Sequence, residues 1–129
     1  MFNPKAGANE PERAYGGSPA GYVIMIKDGP TLYHSGDTAY FKDMEVIGET
    51  YTIDIALINI SQMGAKLSAR AAQSLRAKLA IPMHFGTFEG LLQSAEEFRA
   101  ELKQRRIGSY EMKPGETISF RGRQMVKGK

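Results

Sequence analysis

Apolar positions along this chain recur at two alternating periods, and the alternation predicts an α/β layer. Residues 22–27 and 31–34 are rich in β-branched and aromatic side chains and flank the turn cluster Asp28-Gly29-Pro30, so they read as a hairpin. The period then changes. Tyr40, Met44, Ile47 and Tyr51 fall at helical spacing, and Asp37 and Thr38 offer side-chain oxygens that can cap the free amides at the start of such a helix. Residues 53–60 form the next strand, 68–77 a helix that buries Ala72 and Leu75, and 79–83 another strand. Ser94-Ala95-Glu96-Glu97 has the form of a capping box and opens a helix with Leu91, Ala95, Phe98 and Leu102 on its buried stripe. Strands at 110–112 and 117–120 flank the turn Lys113-Pro114-Gly115-Glu116. The predicted order is ββαβαβαββ, a mixed sheet with helices on one face.

The strand at 53–60 carries apolar residues on both faces: Ile53, Ile55 and Leu57 on one, Ala56, Ile58 and Ile60 on the other. Such a strand is buried on both sides. The predicted helices cover one face only, so the other, made of alternate residues of 22–27 and 53–60, is an association surface, and a homodimer through that exposed sheet face is expected.

Composition fits one small domain, with residues 1–19, rich in Gly, Pro and charge, read as an extended arm or disordered lead. Residues 20–121 are the folded unit and 122–129 a basic tail. No apolar run approaches the ~18 residues of a membrane span, and Met1-Phe2-Asn3-Pro4-Lys5 does not open a signal sequence, so a soluble cytoplasmic protein with no membrane partner is expected. The net charge of +3 is spread over Lys103, Arg105, Arg106, Arg121, Arg123, Lys127 and Lys129 without interleaved aromatics; this reads as a solvated face rather than a nucleic-acid surface. The absence of cysteine excludes disulfides and thiolate metal sites.

Any metal must therefore use nitrogen and oxygen ligands, and the chain has just two histidines to offer. His34 lies in Tyr33-His34-Ser35-Gly36-Asp37-Thr38 and His84 in Ile81-Pro82-Met83-His84-Phe85-Gly86-Thr87-Phe88, each where a hydrophobic strand runs out. Asp37 reads equally as a helix N-cap, His84 as a strand-end histidine bonded to backbone, and His34 as a packed or binding residue beside the site. Thr38 and Thr87 read as hydroxyls that satisfy turn backbone.

These segments, together with Gly21-Tyr22-Val23-Ile24, Phe41, Asp43-Met44, Ile47-Gly48-Glu49 and Asp54-Ile55-Ala56-Leu57, resemble the C-terminal half of a metallo-β-lactamase-fold metal-dependent hydrolase, in the branch similar to ascorbate-6-phosphate lactonase. The resemblance runs from about Gly17 to Phe120. It implies one half of an αββα sandwich, with Asp37 and His84 as metal ligands. It also implies an N-terminal His-x-His-x-Asp-His signature that these residues lack, and a longer loop before Met63-Gly64 than this chain has. Asp37 and His84 make two ligands where a catalytic zinc usually takes three. The expectation for the chain by itself is a homodimeric scaffold or binding module, not catalytic alone. The alternative is a metal-dependent hydrolase of an ester, lactone or phosphoester, completed by an N-terminal half or partner chain, with zinc or manganese expected only at the completed site.

Overall fold

The structure is a computed structural model that describes residues 18–86 and 94–128, together with the backbone of residues 2–3 and 14–15. A tight turn through Asp28 and Gly29 joins β3 (Tyr22–Met25) to β4 (Thr31–His34) in antiparallel register, with Tyr22 opposite His34 and Ile24 opposite Leu32. From β4 onward every pairing within this sheet is parallel. β5 (Ile55–Asn59) lies beside β4, β6 (Leu79–Met83) beside β5, and the two-residue β7 (Gly108–Ser109) beside β6, giving a five-stranded sheet in the order β3-β4-β5-β6-β7. Parallel neighbours require crossovers. These are supplied by α1 (Met44–Thr50), by α2 (Ile60–Met63) with α3 (Ala65–Ser74), and by α4 (Glu96–Gln104). Two short pairs stand outside this sheet: β1 (Phe2–Asn3) with β2 (Ala14–Tyr15), and β8 (Ile118–Arg121) with β9 (Gln124–Gly128).

The core forms on the helix-covered face. Ala65, Ala69 and Ala72 recur at helical spacing along α3 and meet Phe98 and Leu102 of α4, Ala56 and Ile58 of β5, and Tyr33 of β4. The small alanine side chains let α3 lie close to its neighbours. Gly48 does the same for α1: a Cβ there would lie 2.8 Å from the Leu75 carbonyl carbon and closer still to the Ser74 carbonyl oxygen.

On the opposite face the register aligns two apolar rows, Tyr22–His34–Leu57–Ile81 and Ile24–Leu32–Ile55–Leu79. Ile55 and Ile81 are 2% and 3% exposed, whereas Tyr22 and Ile24 are 61% and 45% exposed. The face is therefore covered at β5 and β6 and open at β3. The surface expected on residues 53–60 shrinks accordingly: Ile55 is already buried within the chain, and the open apolar stripe is Tyr22, Ile24 and Ile26.

At the amino ends of the parallel strands Asp54 binds three donors. Its Oδ2 accepts from the Thr31 amide at 2.9 Å and from Arg123 Nη2 at 2.8 Å, and its Oδ1 accepts from Lys78 Nζ at 3.1 Å. Arg123 sits in the turn between β8 and β9 and also donates to the Thr52 carbonyl, so that hairpin is tied to the sheet. Burial raises the Asp54 carboxyl pKa, but the Thr31 amide, Lys78 and Arg123 outweigh it and hold the group below the usual carboxylate range.

The structure departs from the sequence expectations at identifiable places. The first helix begins at Met44, after Asp43, so Asp37 is not its cap. The reason is local: the Thr38 amide and hydroxyl both donate to the Ser35 carbonyl and close a turn that competes with helix. The strand predicted at 110–112 lies upstream, at Gly108–Ser109. Within the stretch read as a basic tail, Gly122 at φ +58° permits a tight turn and Gln124–Gly128 pairs back onto β8. Ile60–Met63 forms a short helix capped by Asn59, and the following helix starts at Ala65. Ser94 does accept from the Glu96 amide ahead of α4; Leu91 and Thr87 lie outside the described residues.

Candidate metal centre

Three consecutive parallel strands end at one edge of the sheet, and the candidate ligands leave from that edge. His34 pairs with Leu57 and Asn59 with Met83, so Asp37, three residues beyond β4, and His84, one residue beyond β6, flank the end of β5 on either side. The carboxyl edge of a parallel sheet is where open α/β folds collect binding residues. Asp37 and His84 thus leave the same end of the sheet.

Asn59 occupies the middle of this edge and is fully buried. Its amide N–H donates to Ser35 Oγ at 2.9 Å, its Oδ1 accepts from the Gln62 amide at 3.1 Å, and its Nδ2 donates to Asp37 Oδ1 at 2.9 Å. Ser35, also fully buried, receives that bond while its own amide donates to the Leu57 carbonyl, which continues the β4–β5 pairing one step past β4. Gly36 then turns the chain at φ +57°, and its amide donates to His34 Nδ1 at 3.1 Å. The loop carrying Asp37 is thus tied to the end of β5 by side chains on both strands.

That Gly36 bond decides what His34 can do. A neutral imidazole has one lone pair on nitrogen for an acceptor role or a metal, and here Nδ1 has spent it on Gly36, leaving Nε2 as the N–H donor. His34 is accordingly a turn-bonded residue beside the site that can donate to a ligand through Nε2.

His84 is different: it is exposed and sits at φ +63°, a left-handed conformation that costs a residue with a Cβ about 1–2 kcal/mol. Such strain gathers at functional sites. His84 lines an open groove of about 510 Å³, together with Leu57, Ile81, Phe85, Met112 and Lys113. The donor set at this edge, one carboxylate and one imidazole, suits a divalent ion of the zinc or manganese type. Among the described residues no three His, Cys, Asp or Glu side chains gather closely enough to hold one alone. Sequence reasoning missed Asn59, although Asn59-Ile60-Ser61-Gln62 has the spacing of a capping sequence at a strand end. Its bond to Asp37 joins residues 22 positions apart, and the strand pairing alone reveals it.

Comparison with known proteins places the fold in a family. A UPF0173 metal-dependent hydrolase of Thermodesulfovibrio yellowstonii is 45% identical over 111 residues, covering 82% of this chain and 42% of the relative. One from Pyrobaculum islandicum is 45% identical over 106 residues, covering 79% of this chain and 47% of the relative. Among solved structures, Igni18, a metallo hydrolase from the archaeon Ignicoccus hospitalis, superposes with a TM-score of 0.70 at 33% identity over 77% of this chain and 44% of its own. The chain spans less than half the length of these relatives. The family model for the beta-lactamase superfamily domain matches residues 2–85, a stretch that holds β3 to β6 and both candidate ligands, and the chain belongs to that superfamily.

Proposed function

We propose that this chain carries part of the active site of a metal-dependent hydrolase, with Asp37 and His84 as its contribution to the metal centre. The observation that carries the reading is that both follow strands ending at the carboxyl edge of β4, β5 and β6, with the Asp37 carboxylate held there by Asn59. A divalent ion bound there supplies Lewis acidity toward water and toward an ester, lactone or phosphoester. The residues of this chain do the rest of the work available to them. Asp37 presents a carboxylate oxygen, His84 an imidazole nitrogen, and His34 Nε2 a hydrogen-bond donor at the margin. The groove beside His84, walled by Leu57, Ile81, Phe85 and Met112, accepts the apolar body of a substrate. Two ligands do not make a catalytic zinc site, so the remaining ligands come from the part of the relatives' length that this chain does not span. Kinship with metal-dependent hydrolases favours this reading over a homodimeric scaffold or binding module.

The test is complementation. The chain is mixed with a separate polypeptide comprising the unmatched part of the Thermodesulfovibrio relative, and hydrolysis of p-nitrophenyl acetate and bis(p-nitrophenyl) phosphate is followed with zinc or manganese. Chelator-sensitive turnover that disappears with Asp37→Ala and with His84→Ala is expected. A complex that forms but turns over neither substrate, or turnover indifferent to both substitutions, refutes the proposal.

A further inference from the structure

We infer that Asn59 is a positioning residue that fixes the Asp37 side chain and determines which of its oxygens this chain presents to a cation. The inference rests on the reading of Asp37 as a ligand, but its geometry stands apart from it. The Asn59 side chain cannot be turned over. Its Oδ1 accepts from the Gln62 amide at 3.1 Å, and exchanging oxygen and nitrogen would set an NH2 group against that N–H, donor against donor. The Nδ2 group is therefore directed at Asp37 Oδ1, 2.9 Å away. Asn59 itself cannot drift, because it is fully buried and its own amide is bonded to the buried Ser35 hydroxyl.

Asp37, by contrast, is an exposed residue on a loop, and such a side chain would ordinarily exchange rotamers freely. The bond from Asn59 selects one rotamer. It also makes the two carboxylate oxygens unequal: Oδ1 shares its electron density with a hydrogen-bond donor, and Oδ2 is the oxygen left for a cation. Hydrogen-bonded carboxylates of this kind orient ligands, and removing the orienting partner typically lowers metal affinity by about 10- to 100-fold.

The informative substitution is Asn59→Ser. Serine caps α2 about as well as asparagine, so the helix start is preserved, but its hydroxyl is too short to serve Gln62 and reach Asp37 as well. Asn59→Ala loses both bonds, so its difference from Asn59→Ser shows what the cap contributes. Two measurements by nuclear magnetic resonance separate the roles. The first needs no metal: three-bond couplings at the Asp37 β-protons report a single rotamer in the wild-type chain and averaged rotamers in Asn59→Ser. The second titrates Mn2+ and follows paramagnetic broadening at Asp37 and His84, where Asn59→Ser is expected to weaken binding about tenfold. Unchanged couplings in Asn59→Ser overturn the positioning role, and averaged couplings with unchanged Mn2+ affinity overturn its consequence for the cation. Wild-type broadening that Asp37→Asn leaves untouched removes the ligand reading of Asp37 instead, while the couplings still decide whether Asn59 sets the rotamer.

Discussion

Replacing Asp54 probes the amino ends of the strands, where one carboxylate serves three donors. In Asp54→Ala the Thr31 amide loses its side-chain acceptor at a buried position, which costs about 1–3 kcal/mol. Lys78 and Arg123 lose their partner too, but their side chains are 63% and 47% exposed and return to water, so each adds at most about 1 kcal/mol. The expected loss is thus about 2–4 kcal/mol near neutral pH, or roughly 10 °C in Tm for a domain of this size. Asp54→Asn keeps one oxygen for Thr31 and should lose about half as much. The acid limb supplies the sign. The folded-state pKa of Asp54 lies below its ordinary value of 3.8, so its contribution is fully present above that value and is lost as pH falls through the folded pKa. Urea unfolding followed by far-ultraviolet circular dichroism, suited to a chain without tryptophan, should show a gap between wild type and Asp54→Asn that is constant from about pH 5 to 8 and narrows as pH falls below 3.8 through the folded-state pKa. A gap that stays the same at acid pH, or a loss in Asp54→Ala below about 0.5 kcal/mol, would refute the reasoning.

Gly48→Ala should destabilise by about 1–3 kcal/mol, measured by the same unfolding curves, because its Cβ would press on the backbone at Ser74 and Leu75 rather than on a movable side chain. The chain assayed alone should show no zinc- or manganese-dependent esterase, lactonase or phosphodiesterase activity, and robust turnover abolished by chelator and by His84→Ala would contradict the two-ligand count. If the open stripe of Tyr22, Ile24 and Ile26 pairs two copies, light scattering at micromolar concentration will return a dimer that Ile24→Lys converts to monomer; a wild-type monomer would dispose of that expectation.

Elements with long, unambiguous periods were legible in the sequence, and those decided by short-range bonding were not. Residues 79–83 form β6 as their apolar run suggested, and Phe98 and Leu102 face the core as the stripe of α4 required. The start of α1 was not legible, because Tyr40 continues the helical spacing although the helix opens only at Met44. Strand β7 has two residues, too few for any period, and β9 mixes Gln124 and Lys127 with Met125 and Val126, which reads as a charged tail. Asp37 and His84 could be singled out as candidates because side chains able to bind a metal are conspicuous at the ends of apolar strands. Asn59 could not, since its meaning depends on which loop the parallel pairing brings beside it.

Because β4, β5 and β6 run in the same direction, the sheet has two unlike ends. Asp54 and its cations hold one; Asp37, Asn59 and His84 occupy the other, about 16 Å away along β5 at ~3.3 Å per residue. Sites that far apart and without shared partners combine additively. Substitutions at the candidate ligands or the groove can therefore accumulate without eroding the clamp, and substitutions that strengthen the clamp can offset their stability losses. Asn59 is the exception. As helix cap, as partner of Ser35 and as support for Asp37 it belongs to both accounts at once, so among the described residues it is a position where demands of the candidate site and demands of stability must agree.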